Sequence, residues 1–154
     1  MKLATLCYLI DKKENKTLMI HRVKKENDYH EGKWNGLGGK FEAGESPEEC
    51  AVREVEEESG YKMINPRMHG FITFPEFDSV NDWYVFVFTC DNYTGKIIDS
   101  PEGNLQWIPN DNLTSLNLWD GDRIFIEWLN QDKFFSAKFN YKNGKYLNHE
   151  VFFY

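Results

Sequence analysis

Residues 39–61 read Gly39-Lys40-Phe41-Glu42-Ala43-Gly44-Glu45-Ser46-Pro47-Glu48-Glu49-Cys50-Ala51-Val52-Arg53-Glu54-Val55-Glu56-Glu57-Glu58-Ser59-Gly60-Tyr61. The stretch carries both ends of a helix. Ser46 is a good N-cap, Pro47 suits the first helical position, and Glu49 completes a capping box with Ser46. Gly60 is a natural C-terminal stop. The spacing predicts a helix over Pro47–Ser59. At about 100° per residue, Glu54, Glu57 and Glu58 fall within one stripe, and Ala51, Val52 and Val55 form an apolar stripe beside it. Like charges at this spacing destabilise a helix by about 0.2–0.5 kcal/mol per pair. They also crowd its C-terminal half, where the helix dipole disfavours anions. A hard divalent cation compensates such a stripe, because Mg²⁺ takes carboxylate oxygens together with phosphates and waters. Taken alone, a run of glutamates is more often a solvated face, and the residues before the helix decide against that.

Gly39 is followed by five residues and Glu45, then by seven residues and Arg53-Glu54-Val55-Glu56-Glu57-Glu58-Ser59-Gly60-Tyr61. This pattern resembles the box of the Nudix hydrolases at every fixed position. Tyr61 stands where aliphatic residues are commoner. The resemblance implies hydrolysis of a phosphoanhydride, with metal ions neutralising its oxygens and helping to deprotonate water. It implies Mg²⁺, with Mn²⁺ as a substitute, on Glu54, Glu57 and Glu58, and the Gly38 carbonyl as a further ligand. Arg53 then orients the glutamates by ion pairing, reaching Glu57 at i+4. Glu45 braces the loop or the metal shell. Glu102, before Trp107, occupies the place of an additional metal-binding acid. The general base stays unassigned, because it differs within the family.

The flanks read as a sheet with few helices. Leu3–Ile10, Thr17–Arg22, Met68–Phe74 and Asp82–Cys90 have strand composition, with shorter strands at Gly95–Ile98 and Leu105–Ile108. Trp34–Gly39 is a glycine-dense turn region. Apolar residues at helical spacing predict a second helix from Gly121 to Asn130. Asn143-Gly144 signals a type I′ turn between Phe134–Tyr141 and Lys145–Phe153. The expected fold is α/β (α+β): a Nudix fold forming one domain over 1–154, its mixed β-sheet sandwiched between helices, with a C-terminal β-hairpin.

The box says little about the base. Trp34-Asn35-Gly36-Leu37-Gly38-Gly39-Lys40 resembles the segment before the box in MutT-like oxidised-purine nucleoside triphosphatases, which implies that Asn35 bonds the purine edge. Leu118-Trp119-Asp120-Gly121-Asp122 resembles the mammalian members, in which a Trp stacks on the base and two adjacent Asp residues read it. Trp119 and Asp122 match; Gly121 stands where the first Asp belongs, with Asp120 one position earlier. This departure leaves the base preference open. His21-Arg22-Val23-Lys24-Lys25 resembles bacterial members, placing Arg22 and Lys24 toward the triphosphate or pocket. Tyr29, Phe74 and Phe77 are pocket candidates. The implied reaction is 8-oxo-dGTP-type hydrolysis to monophosphate and pyrophosphate. An ordinary dNTP, ADP-ribose or a dinucleoside polyphosphate remains as alternative substrate. A nucleotide sensor would be expected to lose box glutamates, and all are present.

Bulk properties agree. A chain of 154 residues buries a core without disulfides. Its net charge of −7 excludes a basic surface for long nucleic acids, while a metal-bridged small anion stays compatible. The three cysteines, Cys7, Cys50 and Cys90, form no disulfide framework, and a reducing, cytoplasmic setting is the simplest inference. Leu3–Ile10 lacks a cleavage site and reads as a strand, not a signal peptide. No apolar run is long enough to span a membrane. The expected partner is a small nucleotide, and nothing in the sequence demands an oligomer.

Overall fold

The structure, a computed structural model, describes residues 1–154. Strands are β1 (Lys2–Asp11), β2 (Lys16–His21), β3 (Trp34–Asn35), β4 (Tyr61–Met63), β5 (Arg67–Phe74), β6 (Trp83–Cys90), β7 (Tyr93–Gly95), β8 (Asn104–Pro109), β9 (Phe135–Lys142) and β10 (Lys145–Phe153). Helices are α1 (Pro47–Ser59) and α2 (Asp120–Phe125), with 3₁₀ turns at Asn110–Ser115 and Ile126–Asn130. An eight-stranded mixed sheet runs β10-β9-β5-β6-β1-β2-β3, with β8 added beside β2. β1 is parallel to β6 along its length, and β9 is parallel to β5. The other pairs are antiparallel. β4 and β7 form a separate two-stranded ribbon.

Strand alternation sorts the core into two layers. On β1, Cys7 and Leu9 face α1 and pack with Ala51, Val55, Leu18 and Phe88. Ala4 and Tyr8 face the opposite side, where Phe125, Ile126, Phe135 and Phe139 close the second layer. The apolar stripe of α1 is therefore what seats its acidic stripe at the sheet end. Both helix ends are as expected: Ser46 accepts from the Glu49 amide, Glu49 answers with the capping box, and Gly60 is left-handed. The turn at Asn143-Gly144 has positive φ at both residues, as a type I′ turn requires.

The structure corrects two elements. The segment expected as a strand over Gly95–Ile98 pairs instead over Tyr93–Gly95, against Tyr61–Met63. Gly95 and Gly60 explain the shift: both have positive φ, and a Cβ on Gly95 would collide with the Gly60 carbonyl. The chain leaves the ribbon there. The helix expected over Gly121–Asn130 starts at Asp120, is α-helical to Phe125 and tightens into 3₁₀ geometry over Ile126–Asn130. Helix ends commonly tighten in this way.

Candidate active site

The glycine segment before α1 is stitched to β1. Leu37 and Cys7 exchange backbone hydrogen bonds, and the Thr5 amide donates to the Gly39 carbonyl at 2.9 Å. The carbonyls of Leu37 and Gly39 are thus spent on β1, while that of Gly38 accepts no backbone hydrogen bond. Gly38 has φ +130°, and a side chain there would collide with the Thr5 carbonyl. A Cβ on Gly39 would lie 2.6 Å from the Glu54 carboxyl. Both glycines are needed so that the backbone can pass between β1 and the α1 carboxylates.

Arg53 organises the acidic side. Its Nε donates to Glu45 Oε2 at 2.6 Å and its Nη2 to Glu45 Oε1 at 2.9 Å, a bidentate pair. Nη1 donates to Glu54 at 2.9 Å and to Glu57 at 3.3 Å, and Nη2 reaches the Lys40 carbonyl at 3.1 Å. Glu45 also accepts from the Glu42 amide at 2.7 Å. These bonds hold Glu45 low, to about 2, with the Arg53 hydrogen bond the largest cause. Glu45 therefore ties loop to helix.

Glu58 is buried, and the Gly38 amide donates to its Oε2 at 3.1 Å. Burial pushes its carboxyl up to about 8; the Gly38 bond opposes this, and the charges of Glu54 and Glu102 add to it. Glu54 is raised too, first by burial and with Glu57 and Glu102 contributing. Glu102 thus belongs electrostatically with the box. Lys25 holds it at 2.9 Å and Arg22 at 3.6 Å. No group of three acids converges to metal-ligand spacing in this arrangement. Arg53 draws Glu54 and Glu57 to itself, and Glu58 turns to Gly38. The donor set nonetheless fits a hard cation: carboxylates of one sign, partly desolvated, lacking enough positive charge.

A second region lies beyond Asn35. Trp119 donates from Nε1 to His30 Nδ1 at 2.8 Å. Tyr29 stacks on Trp119 with ring centres 5.6 Å apart, and Phe77 and Tyr141 meet it edge-on. Lys33 stands 5.0 Å from the centre of the Trp119 ring. Tyr29 donates to the Phe77 carbonyl at 2.7 Å. Burial, and then the nearby Arg22 charge, push the His30 imidazole down to about 4, so it is neutral and free to accept from Trp119. Asp122 is buried, and burial lifts its carboxyl to about 7 against the pull of Lys33. Asn35 is buried with no partner for its Nδ2.

The expected residues therefore form two groups. Gly38, Glu45, Arg53, Glu54, Glu57, Glu58 and Glu102 gather at the sheet end of α1; Tyr29, Trp119 and Asp122 gather at the aromatic region, while Asn35 is buried on β3 opposite Ile20. Arg22 stands between, since its charge acts on both Glu58 and His30. Three further expected residues have these surroundings. Lys24 is spent on Asp99 at 2.5 Å and on the Ser100 carbonyl at 2.7 Å. Phe74 is a core residue that meets the aromatic region through Phe77 and Tyr141. Asp120 is exposed at the first turn of α2, because the helix turns Asp122 inward instead. Sequence reading missed His30, Lys33, Tyr141 and Tyr8 as members of the region. Their contacts are made across the chain, and no local spacing announces them.

The NUDIX domain model matches residues 1–129. An oxidized purine nucleoside triphosphate hydrolase of Danio rerio is 33% identical over 127 residues, covering 82% of this chain and 78% of that protein. YvcI of Bacillus subtilis, named as a Nudix hydrolase, is 33% identical over 120 residues, covering 75% of this chain and 72% of that protein. The crystal structure of a MutT protein from Bacillus halodurans superposes with a TM-score of 0.86 at 30% identity, covering 98% of this chain and 97% of that one. Box, fold and relatives agree, and the chain belongs to the Nudix family of hydrolases, a MutT-like member acting on nucleotide-linked substrates.

Proposed function

We propose that this protein hydrolyses an oxidised purine nucleoside triphosphate of the 8-oxo-dGTP type, releasing nucleoside monophosphate and pyrophosphate. One observation carries the reading. Trp119, Tyr29, Phe77 and Tyr141 form an aromatic wall, with a buried carboxyl at Asp122 and a buried amide without a protein partner at Asn35. Such a wall suits a flat base that presents a polar edge. Asn35 and Gly38 lie three residues apart, at most roughly 10 Å of chain. A base at Asn35 thus has its phosphates near Glu58. The relatives named for oxidised purine nucleoside triphosphates support the same class.

Mg²⁺, with Mn²⁺ as substitute, would be held by Glu54, Glu57 and Glu58, with the free Gly38 carbonyl and Glu102 as further ligands. When bound, it supplies charge neutralisation for the phosphate oxygens and a lowered pKa for water. The chain's own residues do the rest. Arg53 keeps the glutamates aligned, Glu45 pins the loop, and Arg22 adds positive charge between base and phosphates. In this reading the partner is a small nucleotide, with no long nucleic acid and no membrane.

Gly121 favours a second reading in which the base differs. Its amide donates to the Tyr141 hydroxyl at 2.6 Å, and a Cβ there would sit 2.6 Å from that oxygen. A second acidic side chain has no room at this position, so base discrimination falls on Asp122 and Asn35. An ordinary dNTP or another nucleoside diphosphate derivative then becomes the substrate of the same chemistry. The test is kcat/KM with Mg²⁺ for 8-oxo-dGTP and dGTP side by side, with products identified. A preference of about tenfold, or about 1.4 kcal/mol of transition-state discrimination, with monophosphate and pyrophosphate released, supports the oxidised-purine reading. Equal turnover moves the assignment to the second.

A further inference from the structure

Trp119 precedes α2 and is only partly buried. Its aromatic contacts set the plane of the indole: Tyr29 stacks on it at 17°, and Phe77 and Tyr141 meet it at 69° and 89°. They do not distinguish one edge of the indole from the other. Half a turn about the bond from Cβ to the ring keeps the plane and exchanges the edges, carrying the N–H to the opposite side.

The N–H itself decides between the two. It donates to His30 Nδ1 at 2.8 Å, with the two rings perpendicular and their centres 5.7 Å apart. An indole N–H only donates, so Nδ1 carries no proton and the imidazole proton sits on Nε2. Burial and the Arg22 charge keep the ring neutral, and Nδ1 therefore stays an acceptor. The backbone of His30 is fixed in turn. Asp28 accepts from the His30 amide at 3.2 Å and from Arg22 Nε at 2.9 Å, and the Lys33 amide donates to the His30 carbonyl at 2.9 Å. Tyr29 and His30 are consecutive, so one loop grips the indole by its face and by its N–H edge. A leucine would fill the space of the imidazole without the cost of burying a polar ring. What His30 adds is the acceptor.

We propose that His30 is a positioning residue: its Nδ1 holds the Trp119 indole in one of its two in-plane orientations and so sets the surface on which a base stacks. This rests on the reading that a nucleobase stacks on Trp119. Offset stacking depends on which part of the indole lies under the base. Freeing the indole therefore weakens substrate binding and leaves the chemistry at the phosphates alone.

The test is steady-state kinetics of His30→Leu and His30→Asn with Mg²⁺, on whichever of 8-oxo-dGTP and dGTP the wild type prefers. It is paired with ¹H–¹⁵N spectra of the free proteins. Leucine removes the acceptor, whereas the asparagine carbonyl oxygen, bonded to Cγ as Nδ1 is, takes the same hydrogen bond. His30→Leu is expected to raise KM roughly fivefold with kcat within about twofold. His30→Asn is expected to return KM to within about twofold of wild type. The chain has five tryptophans, and the indole N–H signal of Trp119 is the one lost in Trp119→Phe. That signal should lie downfield in wild type and His30→Asn and move upfield in His30→Leu. If His30→Leu fails to fold by circular dichroism, His30→Ala takes its place. An unchanged KM in His30→Leu, with KM raised in Trp119→Ala, overturns the proposal and leaves Trp119 as the base platform. A raised KM in both His30 variants, or an indole signal that does not respond, also overturns it. An unchanged KM in Trp119→Ala sinks the platform reading and the proposal with it. Equal turnover of the two triphosphates removes the oxidised-purine function alone, because the His30 comparison is read on KM for either one.

Discussion

The glutamates of α1 are held by residues close by in the chain, whereas Trp119 is held from far away. Arg53 binds Glu54, Glu57 and Glu45 at separations of one, four and eight residues. Trp119 bonds His30 across 89 residues, and its aromatic neighbours come from the β2–β3 loop, the segment after β5, and β9. The acidic region is a local motif set on one helix, its positions fixed by helical pitch. The aromatic region exists only after the sheet has brought distant segments together. In the proposed function the first supplies the chemistry and the second the choice of substrate, so the two should fail separately.

The sharpest way to separate them is Glu57→Gln, which keeps shape and removes charge from an exposed residue of the proposed metal site. Its kcat/KM is expected to fall by roughly three orders of magnitude, about 4 kcal/mol, with circular dichroism and nucleoside monophosphate binding retained. Unchanged turnover would overturn the assignment of metal to this stripe. Removing divalent ions with a chelator should have the same effect, reversed by added Mg²⁺.

Trp119→Ala attacks the other region. Base stacking is worth about 1–3 kcal/mol, so KM should rise roughly ten- to a hundredfold, with a smaller change in kcat. If kcat falls as far as in Glu57→Gln, the two regions are not separable.

Asp122→Asn probes the pocket without touching the box. The raised carboxyl of Asp122, at about 7, means the folded chain keeps a proton that the unfolded chain releases near pH 4. Wild-type stability therefore falls as pH rises from about 4 to about 7. Asn cannot titrate, so the stability of the variant relative to wild type should rise with pH by about 2 kcal/mol between about pH 5 and 7. Lys33, Tyr8 and Tyr141 face this group, and burial pushes both tyrosine hydroxyls up, away from that window. Urea melts across the range read the slope; parallel curves would place Asp122 in water instead.

Arg53→Lys is the mildest change. It keeps the charge and loses the bidentate grip on Glu45. A drop in kcat of about tenfold, near 1.4 kcal/mol, is expected with KM for the nucleotide nearly unchanged, measured by steady-state kinetics with saturating Mg²⁺. A larger change in KM than in kcat would mean that Arg53 serves the substrate directly.

How much could be read in advance follows the same division. The capping box, the Gly60 stop and the Arg53–Glu57 pair are relations between residues a few positions apart, and each is present as read. Strand positions followed from alternation, and the hairpin turn followed from Asn143-Gly144. What could not be read in advance fell where two distant segments meet. Gly95 ends its strand because Gly60 lies against it. Lys24 turns to Asp99 and Ser100 because β2 and β8 pair and bring the two loops together.

The sequence by itself determined the helix, the order and spacing of its carboxylates, and the family chemistry these imply. Helical pitch and capping are short-range and need no tertiary partner. Only the tertiary structure decided that Glu58 meets the Gly38 amide, that Glu102 shares the field of the box, and that His30 holds Trp119. It alone decided that the hydroxyl of Tyr8 lies buried and unpaired. In the sequence, Tyr8 is one more bulky residue on an apolar strand, because burial and hydrogen-bond satisfaction depend on neighbours that only folding supplies.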